Sequence, residues 1–345
     1  MKTAIKVSCG FILLLSARSL WADAWASLYS INVAKIYQLR APNKNTVVLG
    51  RTLHTPASQI LFSWNALRPT DGYYVFYMQV RLHNADRWSG WYKMAEWGDG
   101  VQRSFEQLLP RDPSFCYVRL EAPAGDLMSE FRIKIEAHGQ AVLSDVARLT
   151  VAAADYRKFS AETGTGKTFA EPTLRLKSVP AFSQMQVEHV DRERICSPTS
   201  LSMILSYLLK RHIDPSQFAQ NVYDEGLGTY GSWPFNVAQA YVLTHGRYYF
   251  TVTRLNSFAD IYDLLRRGLP VAVSVRGRMR TMPSGRTYAD GHLLVIVGWD
   301  NALKRVIVLD PAFENKREVL HGYDIDDFLT AWERSYRLAY VAEPV

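Results

Sequence analysis

Seven short runs of β-type residues, separated by turn residues, lie between positions 27 and 154. They cover residues 47–49, 60–64, 73–82, 91–97, 115–122, 130–137 and 147–152. Strands of this length and spacing favour a β-sandwich, in which two sheets pack face to face. Most of the aromatic residues in these runs are expected in the core, because a strand sends alternate side chains to opposite faces. An exposed row of them would instead offer rings that stack on sugars or peptides.

Residues 155–178 differ from the segments on both sides, because Ser, Thr, Gly, Lys and Glu replace the apolar runs. This composition predicts a linker between an all-β sandwich domain over residues 25–154 and a second domain over residues 179–345. The linker contains the letters GTGKT at 164–168, which resemble the end of a phosphate-binding loop. Ala161 stands where that loop needs a glycine, so we expect no nucleotide site.

The second domain is predicted to begin with helices and to continue mainly with strands. Helices are expected from residue 196 onwards and over 234–245, 259–267 and 324–332, and strands over 248–252, 271–275, 292–299, 305–309 and 338–342. The two apolar runs 292–299 and 305–309 are joined by five residues, which favours an antiparallel hairpin. A helix packed on an antiparallel sheet is an α+β layout.

The first 24 residues have the form of a secretory signal peptide. Lysines at positions 2 and 6 precede an apolar run over 9–17, and Ala22-Asp23-Ala24 has the small-x-small pattern of a cleavage site. The run is too short to span a bilayer, so no integral membrane span is expected after cleavage. We therefore predict a secreted or periplasmic protein, and the alternative for this segment is a buried core helix.

The composition argues for a globular protein and against a nucleic-acid partner. The 345 residues suffice for two domains, and 48% of them are apolar while 21% are charged. The formal net charge of +7 comes from scattered basic residues, without a nucleic-acid-binding motif. The expected partner is a peptide or protein substrate, which in an exported protein could belong to the cell envelope. The oligomeric state is left open.

Two cysteines remain once the signal segment, with Cys9, is removed: Cys116 and Cys196. A disulfide between them is compatible with an oxidising compartment. Cys116 lies in a predicted strand of the first domain, however, so we expect it in the core of that domain and Cys196 as a free thiol.

Cys196 stands at the start of an amphipathic helix. Leu201, Ile204, Leu205 and Leu208 share one face of that helix, and Pro198 suits its first turn. Unpaired backbone N–H groups and the helix dipole at such a position favour the thiolate and lower the pKa of a cysteine. The alternative is a buried and inert cysteine.

A histidine and an aspartate in the predicted hairpin complete a nucleophilic constellation. His292 opens the strand 292–299, and Asp310 follows the strand 305–309. In an antiparallel hairpin the start of one strand lies near the end of the other, so both side chains are expected at one edge of the sheet. A thiolate needs a base, and the base needs a group that orients it. Trp233, Trp299 and Tyr288 are candidates to line a cleft, although at least two should be core residues.

Four short motifs resemble those of papain-like cysteine peptidases of the family 39-like group, in particular its stand-alone, secreted members. These proteins are relatives of the bacteriocin leader peptidases. The motifs are SQM at 183–185, CSPTS at 196–200, GHLLV at 291–295 and DP at 310–311. The resemblance covers about residues 179–345. It implies a papain-like domain with Cys196 as nucleophile, His292 as general base and acid, and Asp310 as orienting group. It also implies a glutamine in the oxyanion hole, for which Gln184 is the first choice and Gln186 the alternative.

These observations predict a secreted cysteine peptidase that hydrolyses amide bonds through a thioester intermediate. A related acyl or isopeptide transferase would use the same residues. A different class of function is a non-catalytic cell-envelope binding protein, in which the second domain has lost its activity. No cofactor is expected, and no metal, because the other histidines of the second domain lack ligand spacing.

Overall fold

A computed structural model describes residues 25–40, 45–162, 169–279 and 287–345. The predicted signal peptide and the GTGKT letters lie outside these ranges. Seven α-helices are described: α1 (Val33–Arg40), α2 (Cys196–Leu209), α3 (Pro215–Val222), α4 (Trp233–Leu243), α5 (Phe258–Arg266), α6 (Lys316–Val319) and α7 (Ile325–Glu333). Among the described residues, no helix has the length and apolar character needed to cross a bilayer.

Two antiparallel sheets occupy residues 26–154. The first has the strand order β1-β11-β3-β9-β8 and the second β2-β10-β4-β6-β7, with the short β5 beside β4. Their bounds are β1 Ala26–Asn32, β2 Thr46–Ala57, β3 Gln59–Ala66, β4 Gly72–Leu82, β5 Arg87–Trp88, β6 Tyr92–Gly98, β7 Val101–Ser104, β8 Ser114–Cys116, β9 Arg119–Glu121, β10 Met128–Gly139 and β11 Val146–Ala154.

The two sheets share one apolar core. Trp64 of β3 stacks on Phe76 of β4 with ring centroids 4.3 Å apart, and Trp97 of β6 meets Trp64 edge-on at 6.0 Å. All three side chains are fully buried. Trp91, in contrast, is 38% exposed. The aromatic residues of this region therefore divide between core and surface.

The predicted strand over 115–122 is wrong in one respect, since it is a hairpin of β8 and β9. Tyr117 and Val118 adopt left-handed φ values of 52° and 58° and form its turn. Cys116 is consequently not a core residue: in this three-residue edge strand Phe115 points inward, and Cys116 lies half-buried on the other side. Both Cys116 and Cys196 are free thiols, so the structure contains no disulfide between them.

A seven-stranded antiparallel sheet forms the centre of the C-terminal half. Its strand order is β13-β18-β14-β15-β16-β17, with β12 beside β15. The bounds are β12 Leu174–Arg175, β13 Tyr248–Arg254, β14 Val271–Arg278, β15 Thr287–Asp300, β16 Arg305–Leu309, β17 Leu320–Asp324 and β18 Leu338–Pro344. The predicted hairpin is present, because β15 and β16 pair antiparallel with Val295 opposite Leu309.

Helices cover both faces of this sheet. Leu293, Val295 and Val297 of β15 join a core with Leu201, Ile204 and Leu205 of α2. The intervening Leu294 and Ile296 join a second core with residues of α5 and α7. A strand that is buried on both faces has apolar residues at successive positions, which explains the sequence LLVIV at 293–297. In this half, α3, α6 and β17 were not predicted from the sequence.

The described residues at the end of segment 155–178, which was predicted as a linker, contribute a short strand to the sheet. This strand, β12, pairs with β15, where Leu174 lies opposite Trp299. The Glu171 carbonyl accepts a hydrogen bond of 3.0 Å from the fully buried Trp299 indole N–H. This contact makes Trp299 a core residue and not a cleft residue.

The N-terminal sheets pack directly on the C-terminal half. Phe235 and Ala238 of α4 belong to the core of the first half, and Leu61 of β3 belongs to that of the second. The buried Asn65 side chain of β3 donates to the Phe250 carbonyl at 3.0 Å and accepts from its N–H at 2.7 Å. The two halves therefore share buried apolar and polar contacts.

Candidate active site

The structure starts α2 at Cys196, as the sequence pattern predicts. Its face of Leu201, Ile204 and Leu205 is fully buried against the sheet, which directs the start of the helix to the edge of the sheet at His292 and Leu293. β15 begins at Thr287, so His292 lies within this strand and does not open it as predicted. The backbone N–H groups of Ser197 and Leu293 contact the Cys196 sulfur. Cys196 as a residue is half-buried, and two backbone donors support a negative charge on its sulfur.

His292 and Asp310 lie together at that edge. His292 stands on β15, Asp310 follows the last residue of β16, and the hairpin register brings them side by side. The distance between His292 Nε2 and Asp310 Oδ1 is 2.8 Å. His292 is 4% exposed and Asp310 is fully buried, so the pair is shielded from water. Because Nε2 is engaged by Asp310, the remaining ring nitrogen Nδ1 is the one available to Cys196.

Cys196 and His292 interact through a hydrogen bond, and each shifts the pKa of the other. Burial by itself would raise the pKa of Cys196, but the hydrogen bond and charge of His292 bring it below its ordinary value. Burial by itself would lower the pKa of His292, but Asp310 and Cys196 raise it to about 10. Both shifts favour a thiolate–imidazolium pair, the charge state that a nucleophilic cysteine requires.

The carboxylate of Asp310 accepts four hydrogen bonds. Oδ1 accepts from His292 and from the Ala312 N–H at 3.0 Å, while Oδ2 accepts from the hydroxyls of Tyr288 at 2.7 Å and Tyr323 at 2.9 Å. Burial opposes its ionisation, yet the charge of His292 and these donors hold the pKa of Asp310 below its usual range. Tyr323 was not predicted from the sequence, and Tyr288 was expected only as a candidate to line a cleft.

The start of α2 is fixed by contacts to two other elements. Ser197 Oγ donates to Asn236 Oδ1 of α4 at 2.9 Å and lies 3.0 Å from the Tyr340 hydroxyl of β18. All three side chains are buried. The residue beside Cys196 is thus held by a hydrogen-bonded network that no sequence pattern indicated.

Gln184 lies next to the Asp310-Pro311 turn. Its backbone N–H donates to the Pro311 carbonyl at 2.8 Å, and its buried side-chain amide donates to the Arg192 carbonyl at 2.9 Å. Its Oε1 is buried without a hydrogen-bond partner among the described residues. Gln186, the alternative candidate, is exposed. Of the two glutamines, Gln184 is therefore the one built into the edge that carries Asp310.

Within the described ranges, no group of three or more His, Cys, Asp or Glu side chains could hold a metal ion. The assembled residues can instead perform covalent chemistry. A thiolate, an imidazolium that can transfer a proton, and an aspartate that orients the ring make up the set needed for nucleophilic attack on a carbonyl group.

Comparison with known proteins finds a family model that matches the C-terminal part of the chain. Residues 176–340 match the model of the Peptidase_C39 like family. The match confirms the resemblance inferred from the sequence, and the mixed fold with much sheet and few helices is consistent with that family. No curated protein is significantly similar to the chain.

Two solved structures are similar to part of the chain. A putative C39-like peptidase from Bacillus anthracis has 18% identity and a TM-score of 0.39, and the alignment covers 51% of this chain and 99% of that one. Xylellain, a cysteine protease from Xylella fastidiosa, has 12% identity and a TM-score of 0.34, with 54% of this chain and 91% of that one covered.

Proposed function

We propose that this chain, whose residues 176–340 match the Peptidase_C39 like family, is a cysteine peptidase that hydrolyses peptide bonds through Cys196, His292 and Asp310. The observation that carries the proposal is the buried His292–Asp310 pair in contact with a half-buried cysteine at a helix start. A structural role alone would not require a cysteine whose pKa is lowered by its neighbours.

The reaction proceeds by two acyl transfers. The Cys196 thiolate attacks the substrate carbonyl carbon, and the protonated His292 gives its proton to the leaving amine as the C–N bond breaks. This leaves a thioester on Cys196. His292, now neutral, takes a proton from water, whose oxygen attacks the thioester, and the C–S bond breaks to release the carboxylic acid product and restore the thiolate. Asp310 keeps Nε2 protonated and the ring oriented throughout.

Gln184 is proposed as the oxyanion donor. It is supported by its burial and by its position beside the Asp310-Pro311 turn. Its amide now donates to the Arg192 carbonyl, so this role requires the side chain to exchange that partner for the substrate oxyanion. Gln184→Ala is expected to lower kcat about 100-fold, as for the loss of one oxyanion donor. The exposed Gln186→Ala serves as control and should leave kcat unchanged; equal effects of the two variants would refute the assignment.

The activity is tested by digestion of a peptide library with the full chain, followed by mass spectrometry. We expect cleavage by the wild type, none by Cys196→Ala, and wild-type cleavage by Cys116→Ala, which removes the other described cysteine. Cleavage that survives Cys196→Ala would refute the nucleophile. New amide bonds between peptides, in place of hydrolysis, would assign the chain to acyl transfer.

The cellular location of the protein and its domain boundaries are also proposals. We propose that residues 1–24 direct secretion and are removed, that residues 25–154 form a β-sandwich domain and that the peptidase domain follows segment 155–178. Trp25, the first residue after the proposed cleavage site, is 6% exposed and packs edge-on against Phe159 at 4.7 Å. Mass spectrometry of the protein from a periplasmic or culture fraction should find an N-terminus at Trp25; an intact N-terminus there would contradict cleavage.

A further inference from the structure

Two tyrosine hydroxyls converge on the oxygen of Asp310 that does not bind His292. Tyr288 and Tyr323 donate to Oδ2 at 2.7 and 2.9 Å, while His292 and the Ala312 N–H occupy Oδ1 at 2.8 and 3.0 Å. Each carboxylate oxygen thus has two partners. The carboxylate cannot rotate without breaking bonds on both oxygens, so Oδ1 is held in place to receive the His292 N–H.

Tyr288 also contacts the histidine directly. Its ring is nearly parallel to the His292 ring, with an interplanar angle of 18° and centroids 4.1 Å apart. One aromatic side chain therefore restrains both members of the pair: its face covers the imidazole, and its hydroxyl holds the carboxylate. Tyr288 is half-buried, whereas Tyr323 lies entirely within the core.

This double contact depends on an irregularity of β15. In a regular strand, residues four apart are separated by roughly 13 Å. Here Val275 of β14 lies opposite His292 and Gly277 lies opposite Tyr288, so β15 has two more residues than its partner between these points. Gly291 takes up the bend with a φ of +92°, a conformation that favours glycine. The bulge shortens the strand locally and brings Tyr288 over His292.

We propose that Tyr288 is a positioning residue for the cysteine site, holding Asp310 through its hydroxyl and His292 through its ring, with Tyr323 as a second, core-anchored donor. The inference rests on the proposed function, since it assigns a residue to the same reaction. The titratable and charged groups around His292 are Cys196 from α2, Asp310 after β16, Tyr288 on β15, Tyr323 on β17 and Arg276 of β14 beside Gly291.

The test measures alkylation of Cys196 by iodoacetamide in the full chain as a function of pH, followed by mass spectrometry of the peptide that carries Cys196. This readout needs no peptide substrate. In the wild type, alkylation should begin well below the ordinary pKa of a thiol. Tyr288→Phe keeps the ring and removes the hydroxyl. Because Asp310 then holds the His292 ring less firmly against Cys196, the onset of alkylation should move to higher pH.

Two further variants serve different purposes. One separates the effect of the Tyr288 ring from that of its hydroxyl, and the other tests whether any tyrosine substitution alters Cys196 alkylation. Tyr288→Leu removes both contacts, and the onset should rise further than in Tyr288→Phe. Tyr207→Phe changes a tyrosine near the far end of α2, and its profile should equal that of the wild type. Thermal unfolding of each variant by circular dichroism checks that the fold is retained.

The outcomes distinguish this inference from the proposed function. If wild-type Cys196 alkylates as an ordinary thiol, the proposed function fails and this inference fails with it. If the wild type has the low onset but Tyr288→Phe and Tyr288→Leu leave it unchanged or lower it, only the positioning role is refuted. An upward shift in both variants, with Tyr207→Phe unaffected, supports it.

Discussion

Asp224 is a fully buried carboxylate where the two halves of the chain meet. It lies in the loop before α4 and accepts hydrogen bonds from the backbone N–H of Ser104 at 2.8 Å, from Ser104 Oγ at 2.5 Å, from the Gly226 N–H at 3.0 Å and from Ser232 Oγ. Ser104 ends β7 of the N-terminal sheets, while Ser232 immediately precedes α4. This carboxylate therefore fastens the loop before α4 to the first half.

We expect Asp224→Ala to destabilise the protein by about 3 kcal/mol. The substitution leaves three buried donors without an acceptor: the N–H and the hydroxyl of Ser104 and the hydroxyl of Ser232. At about 1 kcal/mol each, the lower end of the range for an unsatisfied buried group, the sum is about 3 kcal/mol. The Gly226 N–H is not counted, because Gly226 is exposed and water replaces the lost acceptor. The lower end applies because water that enters the vacated space satisfies some of these donors. Ser104→Ala removes a single donor and leaves the carboxylate with three, so it should cost about 1 kcal/mol.

The assay is urea unfolding of the full chain, monitored by tryptophan fluorescence and by circular dichroism, with hydrogen exchange to localise the change. The double variant Asp224→Ala/Ser104→Ala should cost less than the sum of the single variants, because the two side chains share a bond. Exchange should accelerate in the loop before α4 and in β7. A cost below about 1 kcal/mol for Asp224→Ala, or additive single effects, would refute the view that this carboxylate joins the two halves.

Three other predictions concern the sheet that carries the candidate site. The pKa of His292 is raised from 6.5 to about 10 in the folded state, so the charged imidazolium stabilises the fold fully below about pH 6.5. This stabilisation is lost as the pH rises through 10. In urea unfolding, the destabilisation caused by His292→Gln should therefore shrink between these two pH values. Gly291→Ala should cost about 1–2 kcal/mol from left-handed strain and slow the alkylation of Cys196, whereas Gly90→Ala, with open space around it, should do neither. A methyl group at Gly298 would lie 2.6 Å from the Leu174 carbonyl oxygen, so Gly298→Ala should displace β12 and make residues 169–178 more sensitive to limited proteolysis. An unchanged digestion pattern would contradict the docking of β12 on β15.

Much of the secondary structure of the C-terminal half follows from local sequence. The predicted helix over 234–245 corresponds to α4, and the predicted strands over 248–252 and 271–275 are the first parts of β13 and β14. Apolar periodicity is strong where an element has a fully buried face, which is why these elements were found. Short strands such as β12 and β17, which have two and five residues, carry no comparable pattern.

The features of the candidate site also fall into two groups, those that local sequence predicts and those that depend on long-range contacts. Local sequence was enough to predict that Cys196 begins a helix and that His292 and Asp310 meet at one edge, because helix periodicity and hairpin register are local properties. Three features appear only in the folded chain: α2 presents Cys196 to this edge, a bulge brings Tyr288 over His292, and Asp224 joins the two halves. The Cys196 and Asp224 contacts join residues about a hundred positions apart, and the bulge depends on how β15 pairs with β14, so none of them leaves a periodic signal in the sequence.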